Sequence, residues 1–163
     1  MIPVVSLACI DENVWIRVIG RGSFQCSPCL KKIVQEQLEQ GRYDYIIDLG
    51  ECEQLDSTFM GTLTGIAQRL KIKKEGSLRV INVSEGNKQL MENLGLDQLF
   101  SIRPIAEGKE CPSAAAEHAF FQVTEAANIS KKSVEETVRS AHEALVTANQ
   151  ANAPKFQSLL EMM

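Results

Sequence analysis

No apolar run in this 163-residue chain approaches the ~20 residues needed to cross a bilayer. No basic residue precedes the apolar stretch from Met1 to Leu7, and Asp11 and Glu12 soon interrupt it. Neither a membrane span nor a secretory leader is expected, and the chain reads as cytoplasmic. An excess of positive charge is also lacking: 17 Lys and Arg against 21 Asp and Glu give a formal net charge of −4, which argues against a nucleic-acid surface. Arg69, Lys71, Lys73 and Lys74 form one basic cluster at an expected helix end, where cations complement the helix dipole.

The cysteines lack the pattern of a disulfide framework. Cys9, Cys26, Cys29, Cys52 and Cys111 are odd in number and irregular in spacing, as suits a reducing compartment. Cys26-Ser27-Pro28-Cys29 is a CxxC, and a helix start there would favour a thiolate. A redox site of the thioredoxin type should follow a strand directly, whereas Arg21 to Gln25 intervene here. Zinc would need two further ligands, and only the distant His118 and His142 are on offer. We therefore read the CxxC as structural and expect no metal or cofactor. A supported Ser-His-Asp arrangement, a Gly-rich phosphate loop and a catalytic carboxylate pair are missing too, so no enzymatic activity is expected. His118 and His142 read as ordinary helix residues.

What the chain does contain is alternating periodicity. Val4 to Ile10 and Val14 to Ile19 are strand-like and flank the polar turn Asp11-Glu12-Asn13, a pattern for an antiparallel hairpin. A helical stripe through Cys29, Ile33, Val34 and Leu38 starts near Pro28 and stops at Gly41. Tyr45 to Leu49 is a strand, Thr58 to Lys73 a helix, and Leu78 to Val83 a strand. Gly86 to Leu94 is a helix ended by Gly95, and Leu99 to Ile105 the last strand. The order ββαβαβαβ requires crossovers, hence an α/β fold with a largely parallel sheet and an antiparallel edge.

Composition shifts after Ile105, dividing the chain into a domain over 1–105 and an extension over 106–163. Ala106 to Pro112 reads as a linker. Ser113 can cap a helix to about Ala127, and Ser130 another to about Asn149, striped by Val134, Val138, Ala141 and Leu145. Pro154 can open a short helix with Phe156, Leu159, Leu160 and Met163 on one side. So narrow an apolar stripe needs cover, from the sheet domain, a second copy of the chain as a homo-oligomer, or a partner.

The most informative stretch lies between the strand ending Ile46-Ile47-Asp48-Leu49 and the second helix: Leu55-Asp56-Ser57-Thr58-Phe59-Met60-Gly61-Thr62-Leu63. It places Ser57 at a helix start, where a hydroxyl can cap the helix or carry a phosphate. With the element order, Gly20 after the second strand, and the tract Leu90-Met91-Glu92-Asn93-Leu94-Gly95-Leu96, this stretch resembles the STAS domain of bacterial anti-sigma factor antagonists over about residues 3–105.

That resemblance implies a STAS-like mixed sheet with packed helices and a regulatory binding module. Ser57 occupies the place of the family's phosphorylated serine. The implied partner is a protein that is both anti-sigma factor and serine kinase and that binds only the unphosphorylated form; a phosphatase would reset the switch. Asp56, Thr58, Phe59, Met60 and Gly61, with Ser23 in the loop after Gly20, are the corresponding partner-binding residues. Two features depart from the family pattern: Thr58-Phe59 stands where Ser-Gly is usual, and Arg21-Gly22-Ser23 where an acidic residue is common. The alternative is a STAS-like scaffold or transporter-associated subunit that binds without being phosphorylated.

Overall fold

The computed structural model describes residues 3–72, 76–123 and 131–156, the side chains of 131–134 excepted. β1 (Val4–Ile10) and β2 (Asn13–Gly22) form the expected antiparallel hairpin, in register from Val4 opposite Ile19 to Ile10 opposite Asn13. Its turn places Asp11 at φ 56°, a left-handed conformation that short polar side chains tolerate. β3 (Asp44–Asp48), β5 (Ser77–Val83) and β6 (Ser101–Pro104) extend the sheet in parallel from the other side of β2. Their crossovers carry α1 (Ser27–Glu39), α2 (Ser57–Ile72) and α3 (Glu85–Asn93). Gly41, at φ +80°, follows the end of α1 with nothing crowding its Cβ position.

Two strands were not legible in the sequence. β4 (Cys52–Leu55) is four residues long and pairs in parallel with the far end of β2. Its two central residues, Glu53 and Gln54, are both exposed, so it lacks the alternation that marks a strand. β7 (Phe121–Val123) pairs antiparallel with β1, and the sheet runs β6-β5-β3-β2-β1-β7 with β4 beside β2. β7 corrects the expected helix from Ser113 to Ala127. Ser113 does accept a hydrogen bond from the Ala116 N–H, but α4 spans only Ala114–Glu117. The aromatic and β-branched residues beyond it satisfy the open edge of β1 instead. Residues 124–127, and with them the far end of that expected helix, lie outside the described residues, as do Lys73, Lys74 and Ser130.

α5 (Lys131–Ala148) matches the expected long helix, but its buried stripe differs. Thr137, Ala141, His142 and Leu145 are buried, Val138 is half-buried, and the Val134 side chain is not described. A turn at Gln150–Asn152 and a helical stretch over residues 153–156 follow. Leu159, Leu160 and Met163 lie outside the described residues.

β2 alternates half-buried and buried residues, with Val14, Ile16 and Val18 turned into the core beside Leu30, Val34, Tyr45, Ile47, Phe59, Leu63 and Leu145. From the alternate positions Arg17 bonds Asp48 at 3.1 Å and also Glu117, and its guanidinium lies 4.2 Å from the Phe120 ring centroid. The expected linker is tied down as well. Asn82, at φ 57°, donates from Nδ2 to Asp48 Oδ1 and to the Glu110 carbonyl, while its Oδ1 accepts from the Glu110 N–H at 2.7 Å. Among the described residues no helix is long and apolar enough to cross a membrane.

Candidate functional site

The short connection from β4 into α2 is fixed by Asp56. Its N–H donates to the Gly22 carbonyl at 2.8 Å, Oδ1 accepts from the Phe59 N–H at 2.8 Å, and Oδ2 accepts from the Phe24 N–H at 2.9 Å. One carboxylate therefore caps α2 and holds the loop after β2 against it. Because Asp56 supplies the cap, the hydroxyl of Ser57, the first residue of α2, is released from that duty. Of the two roles the sequence allows Ser57, capping belongs to its neighbour.

The Ser57 hydroxyl meets α5. Ser57 Oγ lies 2.8 Å from His142 Nε2, and His142 Nδ1 lies 2.6 Å from the Val138 carbonyl. A carbonyl can only accept, so Nδ1 carries a proton; in the neutral imidazole Nε2 then accepts from the Ser57 hydroxyl. The ring is only 1% exposed and stacks edge-on against Phe156, with centroids 4.7 Å apart. His142 is thus not the ordinary helix residue expected of it. One sequence signal pointed to it: it adjoins Ala141 on the apolar stripe, where a surface histidine would not fall.

Gly61 lies one turn along α2 and is what lets α5 approach. A Cβ there would stand 2.2 Å from the Ala141 carbonyl oxygen and 2.7 Å from the Ala141 Cβ, distances no side chain tolerates. Gly65 faces Ala144 at 4.0 Å, and Gln68 Nε2 donates to the Ala144 carbonyl at 3.2 Å. The tail is anchored again at the end of α3, where Asn152 Nδ2 donates to the carbonyls of Leu94 and Leu145.

The other residues singled out in the sequence lie beneath this surface. Phe59 is fully buried, with its ring and the Leu55 side chain filling the space above Gly22; Thr58 and Met60 are buried beside it. Ser23 is buried too, and its carbonyl accepts from the Cys26 and Ser27 N–H groups and the Ser27 hydroxyl. Ser23 therefore shapes the loop from within. The exposed aromatic of that loop is Phe24, 42% accessible, which sequence reasoning passed over as part of a polar connection.

No disulfide joins any of the five cysteines. Burial pushes the Cys26 thiol up to about 12, against the activated thiolate that a redox CxxC needs. Among the described residues no three His, Cys, Asp or Glu side chains gather as a metal site.

A family model described as the STAS domain matches residues 5–108, which hold the hairpin, the parallel strands and the Asp56-Ser57 turn. The chain belongs to the STAS domain family. It is 29% identical to the anti-sigma-B factor antagonist of Bacillus subtilis (strain 168) over 98 residues, 60% of this chain and 88% of that one. Its fold is similar to that of a candidate anti-sigma factor antagonist from Thermotoga maritima, with a TM-score of 0.56 at 18% identity over 69% of this chain and 92% of that one. It is also similar to that of the Bacillus cell fate determinant SpoIIAA in its phosphorylated form, with a TM-score of 0.52 at 19% identity over 63% of this chain and 94% of that one. The STAS match ends before α4, so α5, whose His142 meets the half-buried Ser57, lies beyond it.

Proposed function

We propose that this STAS protein is an anti-sigma factor antagonist switched at Ser57. In this reading it acts in the cytoplasm as a binding regulator: unphosphorylated, it binds an anti-sigma factor that is also a serine kinase, and a phosphate on Ser57 ends that binding until a phosphatase removes it. The observation that carries the proposal is the division of labour at the start of α2. Asp56 caps the helix and holds the Phe24 loop, which leaves the Ser57 hydroxyl without a capping role. Support comes from the antagonist relative and from SpoIIAA, which has been solved both unphosphorylated and phosphorylated.

The chemistry is local. Phosphorylation adds about −1.5 to −2 charges beside the Asp56 carboxylate. The N–H groups at the start of a 16-residue helix stabilise that charge, so the domain stays folded while its docking surface becomes more negative. The docking surface comprises Ser57 with Phe24 at its rim and Gly61 one turn on, where α5 covers it. Asp56 holds its geometry, and Thr58, Phe59, Met60 and Ser23 support it from beneath.

The test compares full-length Ser57→Ala and Ser57→Asp as baits in the cell that makes the protein. Ser57→Ala should retain an anti-sigma factor constitutively, and Ser57→Asp should lose it. Equal retention by wild type and both variants would favour a scaffold that is not regulated by phosphorylation.

A further inference from the structure

The chain carries its own occupant for the Ser57 face. α5 lies along α2 with Ala141 against Gly61 and Ala144 beside Gly65, and its His142 ring sits 2.8 Å from Ser57 Oγ. A phosphoryl group added to that oxygen needs space that the His142 imidazole, itself packed against Phe156, already fills. Besides the Ser57–His142 pair, the tail is held by Leu145 and Asn152, both fully buried, by the bonds from Asn152 Nδ2 to the Leu94 and Leu145 carbonyls, and by Gln68 of α2, which donates to the Ala144 carbonyl. Lifting α5 breaks those contacts, while the hairpin, the parallel strands and the Asp56 turn keep hydrogen bonds in which α5 takes no part.

We propose that α5 is a built-in competitor for the α2 face: it holds the chain closed over Ser57 and must lift before a kinase or an anti-sigma factor can reach that residue. This rests on the reading of Ser57 as the switch and adds a second level of control to it. A partner's apparent affinity is lowered by the fraction of chains that are closed, and anything that lifts the tail restores it. The coupling is reciprocal: a phosphate on Ser57 disfavours the closed arrangement, and the closed arrangement disfavours phosphorylation.

The test uses the full chain and a probe that needs neither partner nor kinase. Ser57→Cys is pulsed with N-ethylmaleimide, and labelling at position 57 is followed by peptide-resolved mass spectrometry, alone and combined with Ala141→Arg, which wedges α5 away from Gly61. Leu145→Ala, which weakens the same docking without a new charge, serves as the second variant should Ala141→Arg not fold. Labelling at least about tenfold faster with the docking weakened is expected, as is a several-fold rise in phosphate on Ser57 when Ala141→Arg replaces wild type in the cell. Equal labelling rates in folded chains would overturn the proposal. Faster labelling with no phosphate on Ser57 in either chain would show that the tail lifts but guards no switch, so the reading of Ser57 would fail separately from the movement of α5.

Discussion

At the residue scale, Asp56 and Ser57 divide what one hydroxyl is often asked to do. Asp56 makes two charge-assisted bonds to backbone N–H groups from elements far apart in sequence, Phe24 and Phe59. Asp56→Ala should therefore cost about 0.5–2 kcal/mol through the lost helix cap, and somewhat more through the freed loop. Urea unfolding would show this as a lower midpoint with an unchanged slope; an unchanged midpoint would remove Asp56 from the architecture of the site. Cys26 gives a prediction of opposite character. Burial raises its pKa from an ordinary 9.0 to about 12, so below about pH 9 folded and unfolded chains both hold the proton and the contribution to stability is complete. Above that the unfolded chain releases the proton first, and stability falls by about 1.4 kcal/mol per pH unit toward about 12. Tyr45, also raised to about 12 by burial, adds to the decline from about pH 10. Cys26→Ala should flatten the Cys26 part of this slope in unfolding measured across pH 8.5 to 10.5, and an identical slope would contradict the assignment.

At the element scale, how legible a segment was depended on how local its cause was. The hairpin, α1, α2 and α3 follow from periodicity, turn residues and caps within a few positions: Asp11 in its turn, Gly41 after α1, Ser84 accepting from the Asn87 N–H. β4 and β7 have no such local cause. Glu53 and Gln54 face solvent, and β7 exists because the β1 edge was open more than a hundred residues earlier. The candidate site divides the same way. The place of Ser57 at a helix start was legible because helix-start chemistry is local, but that chemistry offered Ser57 as the cap, which Asp56 supplies, and the switch reading came from the family resemblance. His142 was not, because its role depends on a contact spanning 85 residues, whereas the burial of Phe59 agrees with its place at helical spacing with Leu63, Ile66 and Leu70.

At the scale of the whole molecule, the extension after residue 105 is part of the fold. It adds a strand to the sheet, ties Glu110 to Asn82 and Glu117 to Arg17, and buries Leu145 completely. Burying one such leucine contributes about 1.5–3 kcal/mol. Truncation after Ile105 should lower Tm by about 2–4 °C for every kcal/mol lost and reduce solubility by baring the β1 edge and the Gly61 face of α2. A truncated domain as stable and soluble as the full chain would make the tail an independent appendage. The central claim, that Ser57 is a phosphorylation switch, meets its most direct test in the full-length protein purified from its own cell under several growth conditions, with phosphate mapped by peptide-resolved mass spectrometry. Phosphate on Ser57 whose occupancy changes with condition is the predicted result; Ser57 unmodified under every condition, with the anti-sigma partner bound and released all the same, would contradict it.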